Sequence, residues 1–221
     1  MFRKILPLII VIVLLGAVGY AFYVSNKAID PNDINRVYKP EDFPVNNQKD
    51  PEGTIRLVGQ LNRDFGFLRD GSEFSNYDLW IDIANLKYGM SDWVGAEASY
   101  FKAISINDKN PLAYLNLGTL HKLGTHNYPL AEQYYLKAMG RITTPYYSDY
   151  ESFADLYVNF WKERQVDVES IMLQGANNSP EVNRPPYYSY LYMYFKDRDQ
   201  TKSEEYKTKV LELDPNFNLP L

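Results

Sequence analysis

The chain offers few residues able to carry chemistry: two histidines, no cysteine, and carboxylates scattered along its length. His121 and His126 lie five positions apart across a helix end. Two metal ligands on one helical face need a spacing of three or four, so no metal site is expected. Asp30-Pro31-Asn32-Asp33 begins like a calcium loop but lacks the central glycine and the closing glutamate. Glu204-Glu205 and Glu212 fall where a last helix turns its face to water. No glycine-rich phosphate loop and no nucleophile elbow occurs. The absence of cysteine excludes disulfides, thiolate metal sites and a lipid-modified cysteine. Asn177-Asn178-Ser179 has the form of a glycosylation acceptor, weakened by the Pro180 that follows. Neither a cofactor nor an enzyme activity is expected.

Aromatic side chains carry more information. The chain holds 20 tyrosines, and Tyr187-Tyr188-Ser189-Tyr190-Leu191-Tyr192-Met193-Tyr194-Phe195 is aromatic around most of a helix. If Tyr187, Leu191 and Tyr194 point inward, Tyr188, Tyr192 and Phe195 share a second face. Tyrosine combines apolar area with a hydroxyl and little rotamer freedom, which suits recognition. A thicker core is the competing use of the same rings. Exposed as a row, they would stack sugar rings; within an apolar groove, they would hold a peptide.

These residues must be positioned by elements, and the elements follow one another in order. Residues 1–4 carry Arg3 and Lys4, and Ile5–Val24 runs for 20 positions without a charge. That length of helix spans a bilayer core of about 30 Å. Basic residues mark the cytoplasmic side, so the N-terminus is expected inside and the remainder outside. A cleaved signal peptide is the rival, with Gly19-Tyr20-Ala21 as its small-x-small site. The long apolar run, continued by Phe22-Tyr23-Val24, favours the single-pass anchor. Residues 25–53, interrupted by Pro31, Pro40, Pro44 and Pro51, read as a disordered spacer. Beyond the anchor acidic side chains outnumber basic ones, and no basic run occurs, so nucleic acid is not an expected partner.

From Trp80 onward a rhythm appears. Trp80, Ile83-Ala84, then Ala96, Tyr100 and Ala103 are followed by Tyr114, Leu117-Gly118, His121, then Ala131, Tyr135 and Ala138. Fixed periods of 20–50 residues mark stacked units that bury their apolar faces on one another. Breaks near Gly89–Asp92 and at Asn107-Asp108-Lys109-Asn110-Pro111 divide the first unit into two helices and end it.

This spacing resembles the tetratricopeptide repeat over residues 77–217, in units of about 77–110, 111–145, 146–183 and 184–217. The second unit fits best, with one extra residue near Thr125-His126-Asn127 that should only lengthen its inter-helix turn. Its His121 falls on a packing aromatic position. In the third unit Tyr150, Phe153-Ala154 and Tyr157 fit, but Val168, Met172 and Gly175 replace the small-aromatic-small triplet. Lys87 and Lys207 replace usual aromatics, with Tyr88 and Tyr206 adjacent. Residues 54–76 precede the repeats and are expected to cap them as a helix or, given Gly59 and Gly66, as a short hairpin.

The resemblance implies an all-α solenoid of helix-turn-helix units that binds a protein or peptide in a concave groove lined by first helices. Ile81, Asn85 and Tyr88, then Leu115, Asn116, Thr119 and Lys122, match that face. Asn85 and Asn116 also match the two asparagines of the carboxylate-clamp subfamily, while Ile81, Ser148 and Ser152 stand in place of its basic residues. A peptide backbone, rather than a terminal carboxylate, is the ligand such amides suit. The expected function is thus that of a membrane-anchored scaffold or adaptor with its repeats outside the cytoplasm. An envelope glycan binder using Tyr188, Tyr192 and Phe195 is the alternative. Oligomeric state is not encoded in these patterns.

Overall fold

The computed structural model describes residues 30–220, which hold ten α-helices and no strand. The expected cytoplasmic residues 1–4 and the apolar run at 5–24 lie outside this range. Among the described residues no helix is long and apolar enough to cross a membrane.

Helix α1 (Pro44–Lys49) and helix α2 (Pro51–Asp70) both open on proline, whose missing amide proton and fixed φ suit a first helical position. Asp50 caps α2 through the Gly53 amide at 2.9 Å, and Gly71 at φ 87° ends it. Thr54, Val58, Leu61 and Phe65 form its buried stripe. Gly59 and Gly66 each cost about 1 kcal/mol relative to alanine in a helix, and the stripe outweighs them.

The remaining helices pair in sequence: α3 (Asn76–Gly89) with α4 (Trp93–Ile106), and α5 (Leu112–Thr119) with α6 (Tyr128–Met139). Then α7 (Tyr147–Asp155) packs on α8 (Val168–Asn178), and α9 (Pro185–Phe195) on α10 (Gln200–Leu213). Each pair falls in one unit of the sequence period. Neighbouring pairs meet through α4 with α5 and α8 with α9, while α2 covers α3. Ala96, Tyr100, Ala103, Ala131, Tyr135 and Ala138 are all buried, so small residues admit the rings between helices. Tyr206, not Lys207, supplies the buried aromatic of α10.

Two expectations are corrected. The spacer reading of 25–53 fails over its described part. Tyr38 and Phe43 are buried, and Tyr38 stacks on Phe43 at 5.8 Å and on Phe65 of α2 at 5.4 Å. Asn62 accepts from the Tyr38 amide at 2.8 Å and donates to its carbonyl at 2.9 Å. Of the prolines that suggested disorder, Pro40, Pro44 and Pro51 start helical turns, while Pro31 sits in a turn. The extra residue of the second unit does not merely lengthen a turn. It widens the end of α5 into a π turn over Leu120–Gly124, closed by Thr125 N–H donating to Leu120 O at 3.1 Å. His126 then turns the chain at φ 54°. A second π turn, Leu156–Phe160, ends α7.

Lys87 explains the folded strap. It is fully buried, donating from Nζ to Pro31 O and, at 3.0 Å, to Ser99 Oγ. Its ammonium lies 5.6 Å from the Tyr38 ring centre and 5.3 Å from that of Phe65. A lysine, at a position where the sequence period led to the expectation of an aromatic, therefore fastens residues 30–43 to the first helix pair.

Candidate functional site

Asn85 on α3 and Asn116 on α5 are brought together. Asn116 Nδ2 donates to Asn85 Oδ1 at 3.4 Å, and Tyr100 OH donates to the same oxygen at 2.6 Å. Among the described residues Asn85 Nδ2 and Asn116 Oδ1 make no hydrogen bond, which leaves one donor and one acceptor in the pair. That pair complements the N–H and C=O of an extended backbone. Tyr88 and Leu115 are half-buried beside them, and Thr119 Oγ1 lies 3.1 Å from Tyr135 OH. Burial raises the Tyr88 hydroxyl, and that of Tyr100 more strongly, so both remain protonated donors near neutrality.

Two residues assigned to this face are not on it. Ile81 is buried, because α3 packs against α2 as well as α4 and has buried positions on most of its circumference. Lys122 is buried too, within the π turn. Its Nζ donates to Asp155 Oδ2 at 2.7 Å and to Ser152 O at 3.0 Å, tying the end of α5 to α7. Glu151, Asn159 and Tyr190 join these residues around a polar cavity of about 380 Å³.

The aromatic face is corrected as well. Tyr188 and Phe195 stack on Tyr206 of α10 at 6.2 Å and 5.9 Å, and the Tyr192 carbonyl accepts from Ser203 Oγ at 3.0 Å. Lys209 and Lys202 cover Tyr188 and Phe195 at 5.8 Å and 4.8 Å. These side chains are half-buried in the seam of the last pair and form no exposed row.

His121 serves packing. Its ring stacks on Tyr134 at 5.3 Å, and Nδ1 shares a 3.0 Å hydrogen bond with Thr125 Oγ1. Burial lowers its pKa, against the opposing pull of Glu97. Among the described residues no group of three histidine or acidic side chains could hold a metal ion.

Sequence reasoning missed a trough of about 600 Å³ between α2 and α3, lined by Leu57, Phe67, Leu79 and Leu86 with Asp64 and Asp82. Its signal was available as the spacing of 57, 60, 64 and 67 beside that of 79, 82 and 86.

The fold and site define the class: an all-α protein of successive helix pairs with exposed amides on adjacent first helices. No protein-family model matches the chain, and a search of curated proteins finds no match.

Proposed function

We propose that this chain is a tetratricopeptide-like scaffold or adaptor, a solenoid of about four helix pairs that binds a protein or peptide partner. Residues 5–24 tether it to a membrane with the N-terminus inside and the repeats outside. The observation carrying the binding role is the paired Asn85 and Asn116, whose free donor and acceptor match one residue of a bound backbone. The seam packing of Tyr188 and Phe195 favours this reading over glycan stacking.

Asn85 also holds the hydroxyl of buried Tyr100, so alanine at 85 would leave that hydroxyl unpaired, at about 1–3 kcal/mol. Asn85→Asp with Asn116→Ala keeps the acceptor while removing the presented pair. This double variant is expected to stay folded and to lose the proteins that co-purify with the wild-type chain from solubilised membranes. An unchanged set of co-purifying proteins would overturn the role of this face. The tether has its own test. Protease added outside intact cells should cut after Ser25, and complete protection of the repeats would reverse the orientation.

A further inference from the structure

The trough between α2 and α3 has Asn85 on its wall but not Asn116, and its apolar stripes and carboxylates lie beyond the asparagine pair. Its lining falls on one stripe of each helix, with spacings of three and four: Leu57, Asp64 and Phe67 on α2, and Leu79, Asp82 and Leu86 on α3. Two parallel stripes facing one depression form the seat of a third helix. The eleven-residue run from Leu57 to Phe67 extends about 15 Å, or nearly three helical turns. Phe74 stands at its end, 54% exposed, a large ring left partly in water.

Charge sets what that helix must carry. Asp64 is only 6% exposed, and its one hydrogen bond among the described residues comes from Arg63 Nε at 3.4 Å. The Arg63 side chain itself is 60% exposed. Asp82 lies on the opposite wall, with Asp78 one turn before it. Burial first, and then repulsion from Asp82, raises the Asp64 carboxyl; burial and repulsion from Asp78 raise that of Asp82. Two trough carboxylates, with Asp78 nearby, thus stand against one largely solvated arginine. An apolar partner without a cation would cover these acids and deepen their desolvation, whereas a lysine or arginine would neutralise it.

We propose that the α2–α3 trough binds a helical segment of a partner protein bearing an apolar face with a lysine or arginine one turn away. This rests on reading the chain as a partner-binding module; the trough adjoins the asparagine face through Asn85 but is not lined by Asn116. Aliphatic side chains of the segment fill the space between Leu57, Phe67 and Leu86, Phe74 closes over its end, and its cation sits between Asp64 and Asp82.

The test uses the full chain in nanodiscs of zwitterionic lipid, with empty discs for counter-selection. A displayed library of 14-residue helical peptides is selected against it, and the best binders are titrated. Selected peptides should share a basic residue at a fixed offset from an apolar triad. Affinity for the best of them should fall at least about tenfold in Asp64→Asn with Asp82→Asn, and again in Phe74→Ser. Phe74 is exposed, so its variant remains folded even if the aspartate pair disturbs packing, and circular dichroism checks both. Selected peptides without a basic residue, or affinities unmoved by these variants, overturn the proposal. Binding lost only in Asn116→Ala overturns it while leaving the adaptor reading in place, and no selected peptide at all counts against both. If light scattering shows a dimer that Phe74→Ser dissolves, the trough belongs to a second copy and the proposal fails.

Discussion

Gly175→Ala is expected to lower stability by about 3 kcal/mol, the upper part of the usual overpacking range, while Gly59→Ala raises it by about 0.5–1 kcal/mol. The same added methyl meets opposite surroundings. At Gly175 a Cβ would lie 2.3 Å from Tyr187 Cε1 and 2.8 Å from Tyr150 Cγ. Those rings belong to α9 and α7, so the glycine is the point where three helices close on each other. Neither ring can swing away, because Tyr187 and Tyr150 are 1% and 0% exposed. Their hydroxyls are also held, Tyr187 by Ser179 Oγ at 3.2 Å and Tyr150 by Asn178 Nδ2 at 3.4 Å. At Gly59, mid-way along α2, nothing lies within 4 Å of the added carbon. There the only change is a less flexible unfolded chain and a better helix former. Urea unfolding with an unchanged slope should report both signs. A wild-type midpoint for Gly175→Ala would mean that the third and fourth pairs do not pack as described.

The same residue shows how far the sequence could be read. Ala131, Tyr135 and Ala138 announced close packing because small and aromatic residues fell at the repeat's positions, and they are buried as expected. Gly175 looked like decay of that pattern. In space it is a stronger form of it, since the two rings it receives are supplied by residues 25 positions before and 12 after. No local period reveals such a partner. The strap was illegible for a related reason. Tyr38 and Phe43 are isolated aromatics in a proline-rich stretch, and only the distant Phe65, Asn62 and Lys87 make them a core. Asn85 and Asn116 were legible because the period places both on first helices one unit apart. Ile81 was misplaced because α2 packs over it, and Lys122 because it sits in a π turn that no periodicity reveals.

Lys87→Met should remove a dependence of stability on pH that the wild-type chain shows between pH 7.5 and 9.5, worth about 2 kcal/mol. Burial dominates this lysine and lowers its pKa from 10.5 to about 8, with Asp92 and Asp30 pulling it upward and Arg36 downward. The unfolded chain therefore binds more protons than the native one between those two values, and stability must rise with pH across that window. Below pH 8 the charged, desolvated ammonium is carried at full cost, about 3 kcal/mol at 1.36 kcal/mol for each unit. The buried tyrosines act in the opposite sense. Tyr38 is pushed up to about 12, and burial raises Tyr100 and Tyr135 further. As pH approaches 10, the unfolded chain sheds phenolic protons that the native state retains, and stability falls. The two trends oppose each other in the wild-type curve, which is why the difference between wild type and Lys87→Met is the informative quantity. That difference should move toward the wild type by about 2 kcal/mol from pH 7.5 to 9.5 and level off above 10.5. The neutral amine can still donate to Pro31 O and Ser99 Oγ, so the strap stays fastened while the charge is lost. A flat difference would place Lys87 in water, with residues 30–43 released from the first helix pair.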